Sequence, residues 1–185
     1  LGPNTRRQFM KEVRIAARLE HPNIARIYDF RSDGDQDYYA MELVDGPTLA
    51  RVLESRELQR REAFRLLIKL GDALGHAHSQ GIIHRDMKPS NILMSPNDEP
   101  KIVDFGIAKR WTSPDPDGST ITRAEGLVGT PAFMAPEQSV MNDAAVGPPT
   151  DVYAMGVLAY RLLLRAYPYT IDRSLPGLLN DIAEG

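Results

Sequence analysis

Apolar residues return every three or four positions over residues 5–19, where Phe9, Val13, Ala16 and Ala17 share one face. That spacing predicts a helix. His21-Pro22-Asn23 stops it, because the residue ahead of a proline is pushed out of the α region. Residues 24–30 and 38–44 read as strands, joined by the polar turn Ser32-Asp33-Gly34-Asp35. A short helix over 48–56 follows, with Thr48 as its cap. A longer helix over about 60–80 carries Ala63, Leu66, Leu67, Leu70, Leu74 and Ala77 on one face.

Beyond it, the short apolar runs 92–94 and 101–103 flank Ser95-Pro96-Asn97-Asp98 and read as a hairpin. Residues 104–137 form a long segment with a Pro/Gly/Asp-rich middle at 113–119, a length that is usually functional or disordered. Residues 151–165 are apolar on most faces, through Val152, Met155, Val157, Leu158, Leu162 and Leu163. A helix apolar all round is expected to be buried. Asp151 suits its N-cap, and Tyr167-Pro168-Tyr169 its end. A last short helix is expected over 175–184. Mixed helices and hairpins make the fold class α+β.

Composition narrows the classes. At 185 residues and 42% hydrophobic content the chain suits one domain, or most of one, with a core. Twenty-two basic against 25 acidic side chains leave a net charge of −3, which argues against nucleic-acid or anionic-membrane binding. The absence of cysteine excludes disulfides and thiolate metal sites and fits a reducing compartment. The longest apolar run, 152–164, is too short to span a membrane and is broken by Arg161. No signal peptide is visible and the first residue is Leu1, so the expectation is a chain that begins inside a larger protein. His76 and His78 invite a metal reading, but residues two apart point to nearly opposite sides of a helix, so they are expected to be structural.

The chemistry concentrates in His84-Arg85-Asp86-Met87-Lys88-Pro89-Ser90-Asn91. Phosphoryl transfer needs an acceptor for the attacking hydroxyl, a cation for the transferring phosphate and an oxygen ligand for magnesium, and Asp86, Lys88 and Asn91 supply one of each. Asp104, beside Gly106 in Asp104-Phe105-Gly106, adds a second metal-binding oxygen donor. The expected hairpin brings Asn91 and Asp104 to neighbouring strand ends. The bland reading is a set of turn residues and a solvated lysine.

The ordered set His-Arg-Asp, Asn, Asp-Phe-Gly and Ala135-Pro136-Glu137 resembles the eukaryotic-type serine/threonine protein kinases, over nearly the whole chain. His21-Pro22-Asn23-Ile24, Asp86-Met87-Lys88-Pro89 and Asp151-Val152-Tyr153-Ala154-Met155-Gly156 resemble the bacterial members. The resemblance implies a two-lobed fold: residues 1–44 a remnant of the small lobe and hinge strand, 45–185 a large lobe incomplete at its C-terminus. It implies ATP and Mg²⁺ as cofactors, protein substrates bearing Ser or Thr, and a cytoplasmic kinase domain whose parent is sometimes membrane-anchored.

By the same resemblance, Asp86 is the catalytic base, Lys88 stabilises the phosphoryl group, and Asn91 and Asp104 bind magnesium. Thr130, in Gly129-Thr130-Pro131, bridges Asp86 and Lys88. Glu12 matches the helix glutamate that pairs with a strand lysine, although by itself it reads equally as a surface carboxylate. Met41 is the gatekeeper, the Glu42 carbonyl and Val44 main chain meet adenine, and Leu93 lies beneath it. Without those neighbours, residues 38–46 read as a buried strand ending in an Asp-Gly turn. Arg85 and Lys109 form a basic pocket for a phosphate on Thr122, Thr120 or Ser119, and Asp151 holds the His-Arg-Asp backbone.

Three parts of the family pattern do not occur in these 185 residues. No glycine-rich phosphate loop and no Val-Ala-x-Lys lysine precede Glu12, and the arginine that pairs with Glu137 is absent. The isolated chain is therefore expected to bind ATP poorly. A pseudokinase or scaffold without catalysis is the alternative, and a small-molecule phosphotransferase a third reading. Lys88, Gly129-Thr130 and Ala135-Pro136-Glu137 argue against the third, as parts of a peptide platform.

Overall fold

In the computed structural model, residues 16–33, 36–105, 131–139, 145–171 and 174–184 are described. The expected N-terminal helix falls mostly outside them. Its described end is at Ala16, whose carbonyl receives the Leu19 amide at 3.1 Å.

Strand β1 (Ile27–Asp33) pairs antiparallel with β2 (Gln36–Met41), with Phe30 opposite Tyr39 and Asp33 opposite Gln36. Both strands lie about three residues nearer the turn than the sequence pattern suggests. Antiparallel pairing closes right up to the turn, and the Arg26 carbonyl still receives the Glu42 amide at 2.7 Å, whereas residues 23–25 bond elsewhere. There the Ala25 amide donates to the Ile102 carbonyl at 2.9 Å, and the Ile102 amide to the Asn23 carbonyl at 2.8 Å. Residues 42–44 accordingly leave the sheet.

Helix α1 (Leu49–Ser55) starts as expected at Thr48, whose hydroxyl accepts from the Arg51 amide at 3.3 Å. Helix α2 (Arg60–Ser79) begins with Glu62 reaching back to the Gln59 amide at 2.7 Å, and buries Ala63, Leu66, Leu70, Ala73, Leu74 and Ala77. The expected hairpin forms as β3 (Ile92–Met94) and β4 (Pro100–Ile102), with Ile92 opposite Ile102. A single turn, α3 (Pro136–Ser139), leads to α4 (Pro148–Leu164), and α5 (Leu175–Glu184) closes the chain.

Helix α4 corrects three expectations. It starts three residues before Asp151, because Pro148 and Pro149 occupy first-turn positions whose amides have no helical partner, and Gly147 is the cap. It stops at Leu164, before Tyr167, where Arg165 turns left-handed at φ 59°. It is also not buried all round. Ala154, Val157, Leu158 and Leu162 are covered, but Val152 is 63% and Leu164 59% exposed. Among the described residues α4 packs on α2 and on the 3₁₀ turn Pro131–Phe133, which cover one side.

Leu49, Leu70, Ile92, Ile102 and Leu158 are at the centre of one core joining the hairpin to the helices. No helix among the described residues is long and apolar enough to cross a membrane.

One glycine is fixed by a close approach. A Cβ on Gly46 would sit 1.8 Å from the Met94 carbonyl oxygen, in the stretch where the Met94 amide bonds Pro47 at 2.8 Å. Backbone cannot move aside as a side chain can. Gly46→Ala is expected to lower the unfolding free energy by about 1–3 kcal/mol, read by urea titration. An unchanged midpoint would contradict that contact.

Candidate active site

The loop between α2 and β3 is held by a residue far from it. Asp151, 1% exposed, accepts the His84 amide at 2.8 Å, the Arg85 amide at 2.7 Å and the His78 ring nitrogen Nε2 at 2.8 Å. The two amides of the loop thus find their acceptor inside the core, where an unpaired donor would be costly. His78 is structural as expected; His76 faces the His21 ring with centroids 5.5 Å apart.

Arg85 takes a left-handed conformation, φ 67°, that a bulky residue adopts at a cost. It is pinned at both ends, its amide by Asp151 and its carbonyl by the Gln138 side chain at 2.8 Å. Gln138 was not legible in the sequence. Its role arises because α3 comes to rest beside the loop.

His84 is wholly buried and joins two chain segments. Its Nε2 donates to the Val103 carbonyl at 2.9 Å, so Nδ1 is the nitrogen that accepts the Asp86 amide at 3.1 Å. Its ring also packs on Phe105, centroid to centroid 4.8 Å. Burial lowers its pKa below the usual histidine value, against the opposing pull of Asp151, the Val103 carbonyl, Asp86 and Asp104. Because the folded pKa is depressed, the unfolded chain binds more protons below pH about 6.5, and stability falls as pH drops below that value. We expect a slope of up to about 1.4 kcal/mol per pH unit from this ring, reduced in His84→Gln, in urea titrations at pH 7, 6 and 5.

Three expected site residues meet in one cluster. The Asp86 carboxylate oxygen Oδ2 receives Lys88 Nζ at 2.9 Å and Asn91 Nδ2 at 3.0 Å. Asn91 Nδ2 also donates to the Asp86 carbonyl at 2.8 Å. With its nitrogen bound to two acceptors, the amide oxygen of Asn91 is the group left for another ligand. Asp86 and Lys88 keep 19% and 17% of their side chains exposed, so the carboxylate is oriented yet reachable.

Asp104 lies on the next strand end, as the hairpin predicts. The Val103 amide bonds the Asn91 carbonyl at 3.0 Å. Asp104 is exposed and left-handed, φ 58°, a conformation Asp tolerates better than most residues. Its Oδ1 accepts the Tyr39 hydroxyl at 2.9 Å. Burial, then the Asp104 charge and hydrogen bond, push the Tyr39 phenol up to about 12. Tyr39, Met41, Val103, Asp104 and Phe105 line a small cavity of about 10 Å³, room for one water molecule. The signal for Tyr39 was its place two residues before Met41, which puts both on one face of β2.

At the expected adenine contacts, no hydrogen bond among the described residues uses the Glu42 carbonyl or the Val44 main chain. The Glu42 carboxylate instead grips Lys101 Nζ at 2.7 Å and the Arg26 amide at 3.2 Å. Burial raises its pKa, but Lys101 and the amide outweigh that and the net shift is downward. The same contact ties residue 42 to β4 at Lys101, which is paired across the hairpin with Leu93. Leu93 is half-buried on the side opposite Ile92 and Met94. Glu137 bonds the Thr150 hydroxyl. Glu12, Lys109, Ser119, Thr120, Thr122 and Thr130 lie outside the described residues.

The donor set suits magnesium better than a transition metal. Among the described residues no group of three or more His, Cys, Asp or Glu side chains could hold an ion. An amide oxygen from Asn91 and a carboxylate from Asp104 are hard ligands, and magnesium usually takes one or two carboxylates plus phosphate and water. The residues fit an ion that arrives with a nucleotide.

A family model described as the protein kinase domain matches residues 2–182. The chain belongs to that family. Serine/threonine-protein kinase PknA of Mycobacterium tuberculosis is 38% identical over 183 residues, which cover 96% of this chain and 41% of PknA. Serine/threonine-protein kinase pkn3 of Myxococcus xanthus is 39% identical over 175 residues, 91% of this chain and 31% of that protein. PknD of Protochlamydia amoebophila is 35% identical over 192 residues, 90% of this chain and 19% of that protein. The chain therefore spans less than half the length of these relatives. The crystal structure of the Mycobacterium tuberculosis PknI kinase domain superposes with a TM-score of 0.69 at 28% identity, covering 98% of this chain and 67% of that one. The helices and small antiparallel sheets are thus a partial two-lobed kinase fold of class α+β, as expected.

Proposed function

We propose that this protein kinase domain transfers the γ-phosphoryl group of ATP to Ser or Thr hydroxyls of protein substrates. One observation carries the reading: a reachable carboxylate, Asp86, fixed between the Lys88 ammonium and the Asn91 amide. Asp86 orients the substrate hydroxyl and takes its proton as the oxygen bonds to phosphorus; the bond to the β-phosphate oxygen breaks and ADP leaves. Lys88 offsets charge on the transferring group. Asn91 and Asp104 hold magnesium, which when bound supplies charge neutralisation on the phosphates.

Adenine is held by the Glu42 carbonyl and the Val44 main chain, between Met41 and Leu93. Their support is that neither main-chain site takes part in a hydrogen bond among the described residues. Residues 1–44 belong to the small lobe and 45–185 to the large one. Glu12 is assigned to the strand-lysine pairing, and Thr130 to bridging Asp86 and Lys88. Arg85 receives a phosphate on Thr122, Thr120 or Ser119, and the domain acts in the cytoplasm. Those assignments rest on the motifs alone.

Because no glycine-rich loop or strand lysine precedes Glu12, these 185 residues alone transfer phosphate weakly. The test is γ-phosphate transfer from ATP and Mg²⁺ to Ser/Thr peptides, with the modified residue identified by mass spectrometry. It is run on the chain and on any longer protein containing it. Nucleotide binding without transfer in that longer protein would favour the second reading, a pseudokinase. Transfer to a small alcohol but to no peptide would favour a small-molecule phosphotransferase.

A further inference from the structure

The hydroxyl of Tyr39 has no part in the roles assigned so far, yet it donates to Asp104 Oδ1 at 2.9 Å across 65 residues of sequence. We propose that Tyr39 is a positioning residue that holds the Asp104 carboxylate in the orientation needed to bind a divalent cation. The inference rests on the reading of Asp104 as a magnesium ligand and adds the group that sets its geometry.

Asp104 is the exposed member of the site, and a free aspartate side chain there would rotate about its χ1 and χ2 bonds. Magnesium demands near-ideal octahedral geometry, so a wandering carboxylate binds it weakly. Ligating carboxylates are commonly held by a further hydrogen bond for this reason. Tyr39 is well placed to supply one. It is half-buried on β2, and its neighbours in the cavity, Ile27, Met41, Val103 and Phe105, are apolar. The strand and the packing fix the ring, and the ring fixes the hydroxyl.

The chemistry of the donor matters as much as its position. A phenol carries no charge, so it orients the carboxylate without neutralising the negative charge that attracts the cation. An ammonium in the same place would compete with the metal. A carboxylate has about four lone-pair sites, and one hydrogen bond at Oδ1 leaves Oδ2 for coordination.

The experiment uses Mn²⁺ as the probe, followed by electron paramagnetic resonance of the free ion at saturating ADP, in the full-length protein. Tyr39→Phe is expected to raise the Mn²⁺ Kd about 3- to 10-fold, through loss of the hydrogen bond that orients the carboxylate, with a Tm near wild type. Asp104→Asn should raise it further, and the double variant should match Asp104→Asn, because the hydroxyl then has nothing to position. An unchanged or lower Kd in Tyr39→Phe, with Asp104→Asn still weakened, overturns the positioning role alone. An unchanged Kd in Asp104→Asn overturns the assignment of Asp104 to the metal, and the positioning role with it.

A second measurement needs no change at Tyr39. The Tyr39 ring ¹³Cζ resonance should move on Asp104→Ala, which removes the acceptor, since that carbon reports the hydrogen bond of its oxygen. A resonance that stays in place would overturn the contact itself.

Discussion

Asp86→Asn is expected to cut phosphoryl transfer by about 10²- to 10⁴-fold while the protein still folds. The carboxamide has nearly the same shape as the carboxylate and keeps an oxygen to accept Asn91 Nδ2, which now bonds Asp86 Oδ2 at 3.0 Å. It cannot take a proton from the substrate hydroxyl, and it no longer balances the charge of Lys88, 2.9 Å away. Both losses fall on the proposed reacting centre and leave the core untouched. The measurement pairs initial rates on a Ser/Thr peptide with a urea titration. Turnover within threefold of wild type would remove Asp86 from the reaction. Lost turnover with an equally large loss of stability would make it a structural residue.

Asp151→Ala should have the larger effect on stability, about 3–5 kcal/mol, because it leaves buried donors without an acceptor. Three groups lose their partner together: the amides of His84 and Arg85, and the His78 ring. Against a typical domain stability of roughly 5–15 kcal/mol, that approaches unfolding. Asp151→Asn separates the contributions, since its single acceptor oxygen can serve one amide while its NH₂ faces the other. It should be intermediate in stability. In native-state hydrogen exchange the Arg85 amide should be protected in wild type and lose most of that protection in Asp151→Asn. A loss below about 1 kcal/mol in Asp151→Ala would mean the amides find other acceptors.

The two predictions divide the site by what can be read locally. The chemistry proposed for Asp86, Lys88 and Asn91 is written within six residues, and a 3₁₀ turn over Pro89–Asn91 helps to fold them together. Helices α1 and α2 were legible for a similar reason, since capping at Thr48 and the apolar face from Ala63 to Ala77 depend on near neighbours. The β3–β4 hairpin followed from its turn. The strand limits were less legible, because residues 23–25 bond β4 and not β2, and only packing decides that. The start of α4 was misplaced because the capping chemistry of Asp151 was taken as local, when its carboxylate is spent on the loop 66 and 67 residues away.

Sequence by itself determined the motif residues, their order and most of the helices, since propensity, capping and turn chemistry act over a few residues. The restraint of the His84-Arg85 backbone by Asp151 was expected from the resemblance, but tertiary structure alone decided the other distant partners: Gln138 on the Arg85 carbonyl, Tyr39 on Asp104, Lys101 on Glu42. Each of those contacts joins elements that meet only after the core has packed. Their distance and direction come from how helices and strands rest on one another, and no periodicity along the chain encodes that.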